Sequence, residues 1–247
     1  MQSNQMSERL ETHFGSTQKM SIRQTRKGWL QECIGCEAVS EFKWFETTDG
    51  KDAQFATSVE DSSCPARFLC CGCHEFSMVV NEAGTKNEIM TMHRPFACMP
   101  GACKCCCYQT MSFASGGKEL GSIEEKYWYC IPRLEIKDGQ GNAVYKVHPP
   151  TCCMGMCINI CAEGNPCCGR GCCKVPFHIF PASQTDTDNG TPEIGKIVKV
   201  PKSLKTEFFT DADAFDLFFP QDSSVEQKAL LAGTTIYLNA NFFEADK

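Results

Sequence analysis

At 247 residues, with 42% hydrophobic and 22% charged residues, the chain has the composition of one large or two smaller globular β domains and not of a disordered polymer. A formal net charge of −6 excludes the broad basic face of a generic nucleic-acid binder. Twenty cysteines approach the density of secreted disulfide scaffolds, yet residues 1–20 hold no apolar core for a signal peptide, so reduced thiols are expected.

Residues 1–26 are polar and without periodicity, which reads as a mobile tail ahead of a single domain over 27–247. From Gly28 onward, short alternating apolar stretches are punctuated by turn residues. Two such stretches, 42–46 and 55–59, flank Asp49-Gly50; 76–80 and 89–94 flank Ala83-Gly84; 110–113 and 120–127 flank Gly116-Gly117. The same pattern recurs at 134–138 with 144–148 across Gly139 and Gly141, and at 177–180 with 194–200 across a polar loop. Five hairpins, with 28–33 and 206–219 at the ends of the array, predict about twelve antiparallel strands in a sandwich or a barrel.

The cysteines fall between these stretches. Cys103, Cys105, Cys106 and Cys107 form a run before a strand; neighbouring side chains on a strand face opposite ways, which suits exposed thiols for S-acylation better than one zinc ion. The densest group lies at 152–173, where Cys157 with Cys161 and Cys168 with Cys172 have the spacing of zinc ligands. The alternative is that these cysteines are small apolar fillers of a glycine-rich hairpin. Lys196, Lys199, Lys202 and Lys205 make a basic run: the solvated face of a strand, an importin-binding signal, or a contact for anionic lipid heads.

The segment 208–222 offers Asp211, Asp213, Asp216 and Asp222 over twelve residues, the length of a calcium loop. It lacks the glycine at the sixth loop position and the closing bidentate glutamate, so a plain strand with acids at its ends is the competing reading. After it, Ser223 followed by Glu226 signals the start of a helix over 224–244 that is apolar on every side. Such a helix must be surrounded by lipid or by protein. It is short for a span and contains Gly233, Asn239 and Asn241, which favours enclosure by the barrel. No P-loop, dinucleotide-binding, zinc-protease or nucleophile motif is present, so no covalent chemistry, and no enzyme, is expected.

Four segments in order resemble the phospholipid scramblase family: Arg94-Pro-Phe with the cysteine run, Gly195-Lys-Ile, Phe209-Thr-Asp-Ala-Asp-Ala-Phe with Phe219-Pro and Asp222, and Asn241-Phe-Phe-Glu. The resemblance implies a tubby-like fold, a closed barrel of twelve antiparallel strands enclosing a hydrophobic C-terminal helix. It implies calcium-dependent, bidirectional movement of phospholipids between leaflets at the cytoplasmic face of the plasma membrane. By the same resemblance, Asp211, Asp213, Phe215, Leu217, Phe219 and Asp222 are the calcium set, the apolar members serving through their carbonyls. Palmitate is implied on Cys103, Cys105, Cys106 and Cys107, and nuclear import through 195–204 when the thiols are not acylated. Ala214 and Asp216 depart from the family's usual Asn and Gly, and the segment 152–173 is unusually rich in cysteine. Two alternatives stand beside this reading: a lipid-anchored adaptor of the tubby type without scrambling, and a zinc-stabilised structural protein.

Overall fold

The structure, a computed structural model, describes residues 2–26, 40–48, 50–62, 74–97, 103–104, 106–129, 131–153, 156–159, 174–183, 192–200 and 213–243. Twelve strands form a closed antiparallel barrel. In chain order they are β1 (Lys19–Arg26), β2 (Ser40–Thr48), β3 (Lys51–Asp61), β4 (Phe76–Glu82), β5 (Glu88–Arg94), β7 (Thr110–Ser115), β8 (Lys118–Glu125), β10 (Leu134–Asp138), β11 (Ala143–His148), β14 (Val175–Pro181), β15 (Gly195–Val200) and β16 (Ala214–Phe218). Two small hairpins lie outside it, β6 (Cys103–Lys104) with β9 (Trp128–Tyr129) and β12 (Thr151–Cys152) with β13 (Cys157–Ile158). Every barrel strand pairs with the barrel strands next to it in the chain, and β16 returns to pair with β1. Closure leaves no strand edge open for pairing with another chain.

The alternation visible in the sequence is the alternation of burial. Met20 and Ile22 on β1, Phe42 and Trp44 on β2, Met78 and Val80 on β4, Phe113 on β7 and Ile136 on β10 are at most 2% exposed. Trp44 keeps its indole N–H satisfied inside the wall by donating to Ser58 Oγ at 3.0 Å.

The interior is filled by a helix, α2 in the order of the described helices, Val225–Leu238, which continues as one π-helical turn over Asn239–Phe243. Every residue of α2 from Lys228 to Leu238 is buried. Its 14 residues extend about 21 Å, short of the roughly 30 Å of a bilayer core. Among the described residues no helix is long and apolar enough to cross a membrane. Gly233 shows how closely the wall fits: a Cβ there would lie 2.0 Å from Cε1 of the Phe113 ring.

Two expectations are corrected here. The helix is capped one residue later than the Ser223 and Glu226 spacing predicts. Ser224 is the N-cap, accepting from Gln227 N–H at 3.2 Å, while Gln227 Oε1 accepts from Ser224 N–H at 2.9 Å. Ser223 is occupied in the preceding turn, its hydroxyl donating to Pro220 O at 2.7 Å. Gln227 also accepts from Tyr145 O–H at 3.0 Å, which ties the cap to the barrel wall; burial pushes the Tyr145 hydroxyl up to about 12.

The second correction concerns residues 1–26. In place of a mobile polar tail, they form helix α1 (Gln2–Phe14) and β1, the strand that closes the barrel. Leu10 and Phe14 of α1, one helical turn apart, enter the core. The helix is held against the barrel by Arg9 Nη1 donating to Glu88 O at 3.1 Å and by Phe14 set edge-on to Phe55. The domain therefore begins before residue 27. The strand expected at 28–33 and the 206–212 part of the last one lie outside the described residues.

The contact at Gly233 yields a test. Gly233→Ala is expected to cost about 1–3 kcal/mol by overpacking, read as a lower melting temperature. Combining it with Phe113→Leu should recover part of that loss, whereas additive losses would show that the two positions do not touch.

Candidate functional site

Because the strands alternate in direction, the barrel has two unlike rims. At one rim the strands are joined by the turns after β2, β4, β7, β10, β14 and β16, and here α2 enters with α1 beside it. Lys228 donates to Gly15 O at 2.9 Å at this rim, and burial lowers the pKa of its ammonium. At the other rim lie the connections after β1, β3, β5, β8, β11 and β15, and here the π-helical turn emerges.

A buried polar cluster secures that emerging end. Arg94, the last residue of β5 and fully buried, donates through Nη1 to Asn241 Oδ1 at 2.9 Å and through Nη2 to His74 O at 2.8 Å. Its guanidinium lies 4.5 Å over the Phe76 ring. Asn241 donates back to Tyr237 O at 3.1 Å, and His74 Nε2 sits 3.0 Å from Glu60 Oε1. Tyr237 O–H donates to Gln109 O at 3.5 Å, with burial holding its hydroxyl well above the usual tyrosine range. Asn239 is also fully buried, and its side-chain amide has no hydrogen-bond partner among the described residues. The sequence shows Asn241 only as a polar blemish on an apolar helix. Its role needs Arg94, which is 147 positions away.

This rim also gathers the cysteines. By chain order, all twenty fall in the segments that join strands here, including the two small hairpins; none is in a barrel strand, a described helix or a turn of the opposite rim. Cys106 and Cys107 are exposed, and Cys107 adopts a positive φ of 54°. Cys153 and Cys157 are exposed as well. Cys103 is on β6, while Cys105 lies outside the described residues. Of the zinc-spaced set, Cys157 alone is described; Cys161, Cys168 and Cys172 lie outside. Most of the large exposed apolar side chains among the described residues share this location: Phe96 at 59%, Tyr127 at 65% and Met156 at 63%, with Tyr108 and Ile158 close to 39%.

The lysine run is partly built into the wall. Lys196 Nζ lies 3.7 Å from Glu193 and 5.8 Å over the Phe218 ring. Lys199 Nζ lies 3.0 Å from Asp213 Oδ1 and 3.9 Å over Phe243 of the π-helical turn. Lys202 and Lys205 are outside the described residues.

Comparison with known proteins decides the family. The model of a family described as Scramblase matches residues 16–245. The chain belongs to the scramblase family. It is 27% identical to phospholipid scramblase 1 of Homo sapiens over 217 residues, 87% of this chain and 60% of that protein. To phospholipid scramblase 2 of Bos taurus it is 26% identical over 216 residues, 87% of this chain and 65% of the relative. Phospholipid scramblase family member 5 of Homo sapiens is 25% identical over 213 residues, 85% and 69% of the two chains. The chain thus spans less than two thirds of the length of scramblases 1 and 2.

The acidic segment of this scramblase barrel can now be set against a calcium ion. Residues 214–218 are a strand, not a loop, so Asp213 and Asp222 stand at opposite ends of β16. Asp213 is 1% exposed and paired with Lys199. Phe215, Leu217 and Phe219 turn their side chains into the core, and β16 is paired on both sides, with β1 and with β15, which commits the carbonyls of its residues to the ladder. Asp216 accepts from Ser21 Oγ at 2.6 Å and pairs with Lys19 at 3.1 Å. The described members of the set do not converge on one ion, and among the described residues no group of three or more His, Cys, Asp or Glu side chains does. Asp211 lies outside them.

Removing one partner of a buried ion pair leaves the other uncompensated. Asp213→Asn is therefore expected to cost about 3 kcal/mol in thermal or denaturant unfolding, equally in chelator and in excess calcium. A loss seen only with calcium present would assign the carboxylate to the ion.

Proposed function

We propose that this chain is a membrane-associated protein that moves phospholipids between leaflets in both directions, with no covalent bond made or broken. The observation that carries the reading is the family match over residues 16–245, which takes in the whole barrel and its plug. Similarity to proteins named phospholipid scramblase supplies the substrate class.

The geometry constrains how such movement could occur. With α2 buried against the inward faces of the strands, lipid has no course through the barrel, so headgroups must cross in the bilayer beside the protein. The barrel then acts by perturbing the membrane it rests on. Attachment by acyl chains fits this role. Cys106 and Cys107 are exposed, and with Cys103 and Cys105 they would carry palmitate as a second signal beside direct lipid contact. Replacing all four by Ser should shift the protein from the membrane fraction to the soluble fraction of cells.

The filled interior also favours a second reading, a lipid-anchored adaptor that binds membranes without scrambling. Vesicles reconstituted with the full chain and a fluorescent headgroup-labelled phospholipid separate the two. An impermeant reductant bleaches about half of the label when leaflets do not exchange and nearly all of it when they do. Runs in calcium and in chelator report any dependence on the ion. Bleaching that stops at the outer leaflet in both conditions rejects scrambling and leaves the adaptor.

A further inference from the structure

Large exposed hydrophobic side chains are ordinary when scattered and informative when gathered. Among the described residues there are seven: Val59, Phe96, Tyr108, Tyr127, Met156, Ile158 and Ile194. Six belong to the rim where the π-helical turn emerges. Phe96 follows β5, Tyr108 precedes β7, Tyr127 follows β8, Met156 and Ile158 sit on or beside β13, and Val59 is two residues short of the end of β3. Ile194 alone is at the opposite rim.

These six residues come from four separate segments, between or beside strands that are neighbours in the barrel wall. Four of the six residues are wholly apolar, and two carry the phenol of tyrosine, a side chain apolar in its body and polar at its end. Such residues are enriched where a protein meets the boundary between headgroups and acyl chains. The buried cluster around Arg94 ties the end of β5 to the π-helical turn, two residues before Phe96.

Charge separates the rims in the same sense. Around the apolar tips the described charges are no more than balanced: Lys126 is paired with Glu124 at 3.2 Å and with Glu135 at 2.8 Å, and Arg133 and Lys174 are matched in number by the exposed acids Asp61 and Glu75. At the opposite rim, Glu82, Glu88, Glu119, Asp138, Asp222 and Glu226 outnumber Lys51, Lys86 and Lys118. A negatively charged lipid surface therefore repels the second rim more than the first.

Resting on the membrane reading given above, we propose that the barrel docks end-on onto a phospholipid bilayer through the rim of Phe96, Tyr108, Tyr127, Met156 and Ile158. The barrel axis then stands upright on the membrane, the thiols of Cys106 and Cys107 face the lipid, and α1 with the helix entrance points away. Contact is made by the protein itself, before and without any acyl chain.

The test is co-sedimentation of the purified, unacylated full chain with phosphatidylcholine vesicles, with and without phosphatidylserine. The parent is expected to bind both vesicles through its apolar tips, with little change in high salt. Replacing Phe96, Tyr108 and Tyr127 together by Ser should weaken partitioning about tenfold or more. Ile194→Ser at the opposite rim should change nothing. All four positions are exposed, and an unchanged thermal melt confirms that each variant folds. Vesicle binding by the triple variant equal to the parent's overturns the docking rim while leaving the membrane reading intact. A parent that binds neither vesicle overturns the rim too, and the lipid-exchange assay with acylated protein then decides the membrane reading separately. If the triple substitution changes the parent's oligomeric state in sedimentation velocity while leaving vesicle binding unaltered, the patch is a protein interface and the proposal fails.

Discussion

The structure depends on one requirement, that a ring of twelve strands needs something to close around. An empty ring of this circumference would leave its inward side chains without packing partners. Helix α2 supplies them, and the residues on the two sides are matched: a glycine of the helix makes room for the edge of the Phe113 ring, and threonines turn their hydroxyls back to the helix, Thr234 Oγ1 to Leu230 O at 2.8 Å. The plug is anchored at each end by polar contacts. Ser224, Gln227 and Tyr145 hold the entrance, and Arg94 with Asn241 holds the exit. Apolar packing alone would allow the helix to slide or turn; hydrogen bonds at both ends specify one depth and one rotation.

Much of this was legible in the residues. Apolar alternation and turn glycines marked the five hairpins, and an all-round apolar segment with two asparagines pointed to a helix enclosed by protein. What escaped was whatever depends on distant partners. Ser223 with Glu226 and Ser224 with Gln227 are both acceptable starts by spacing; Tyr145, 82 positions away, engages Gln227. In β1, Gln24 occupies an inward position after Met20 and Ile22, so the alternation is too brief to stand out, and its partner strand is at the far end of the chain. In the acidic segment, the pairing of Asp213 with Lys199 likewise depends on a neighbouring strand that spacing does not reveal. The clustering of Phe96, Tyr127 and Met156 was invisible because chain order spreads them over some sixty positions, and only the alternating strand direction collects them.

The two rims divide the labour of the molecule. One holds the turns after β2, β4, β7 and β10, has α1 beside it, and is rich in carboxylates. The other is made of longer connections that hold every cysteine, the exposed aromatics and the polar exit of the helix. A fold that confines one chemistry to one end has an orientation, and a protein that works at a surface needs one.

The pairing of β1 with β16 has a consequence for how the molecule is made. Ser21 and Asp216 hydrogen-bond across that seam, 195 positions apart in the chain. At ribosomal rates of about 5–20 residues per second, the first strand waits roughly 10–40 s for its neighbour, and α2 follows later still. Throughout that interval the growing sheet is an open, curved ribbon with an unpaired edge and an apolar concave face. Cells that make this protein must shelter it for that time, and production should respond to chaperone supply more than the final stability suggests.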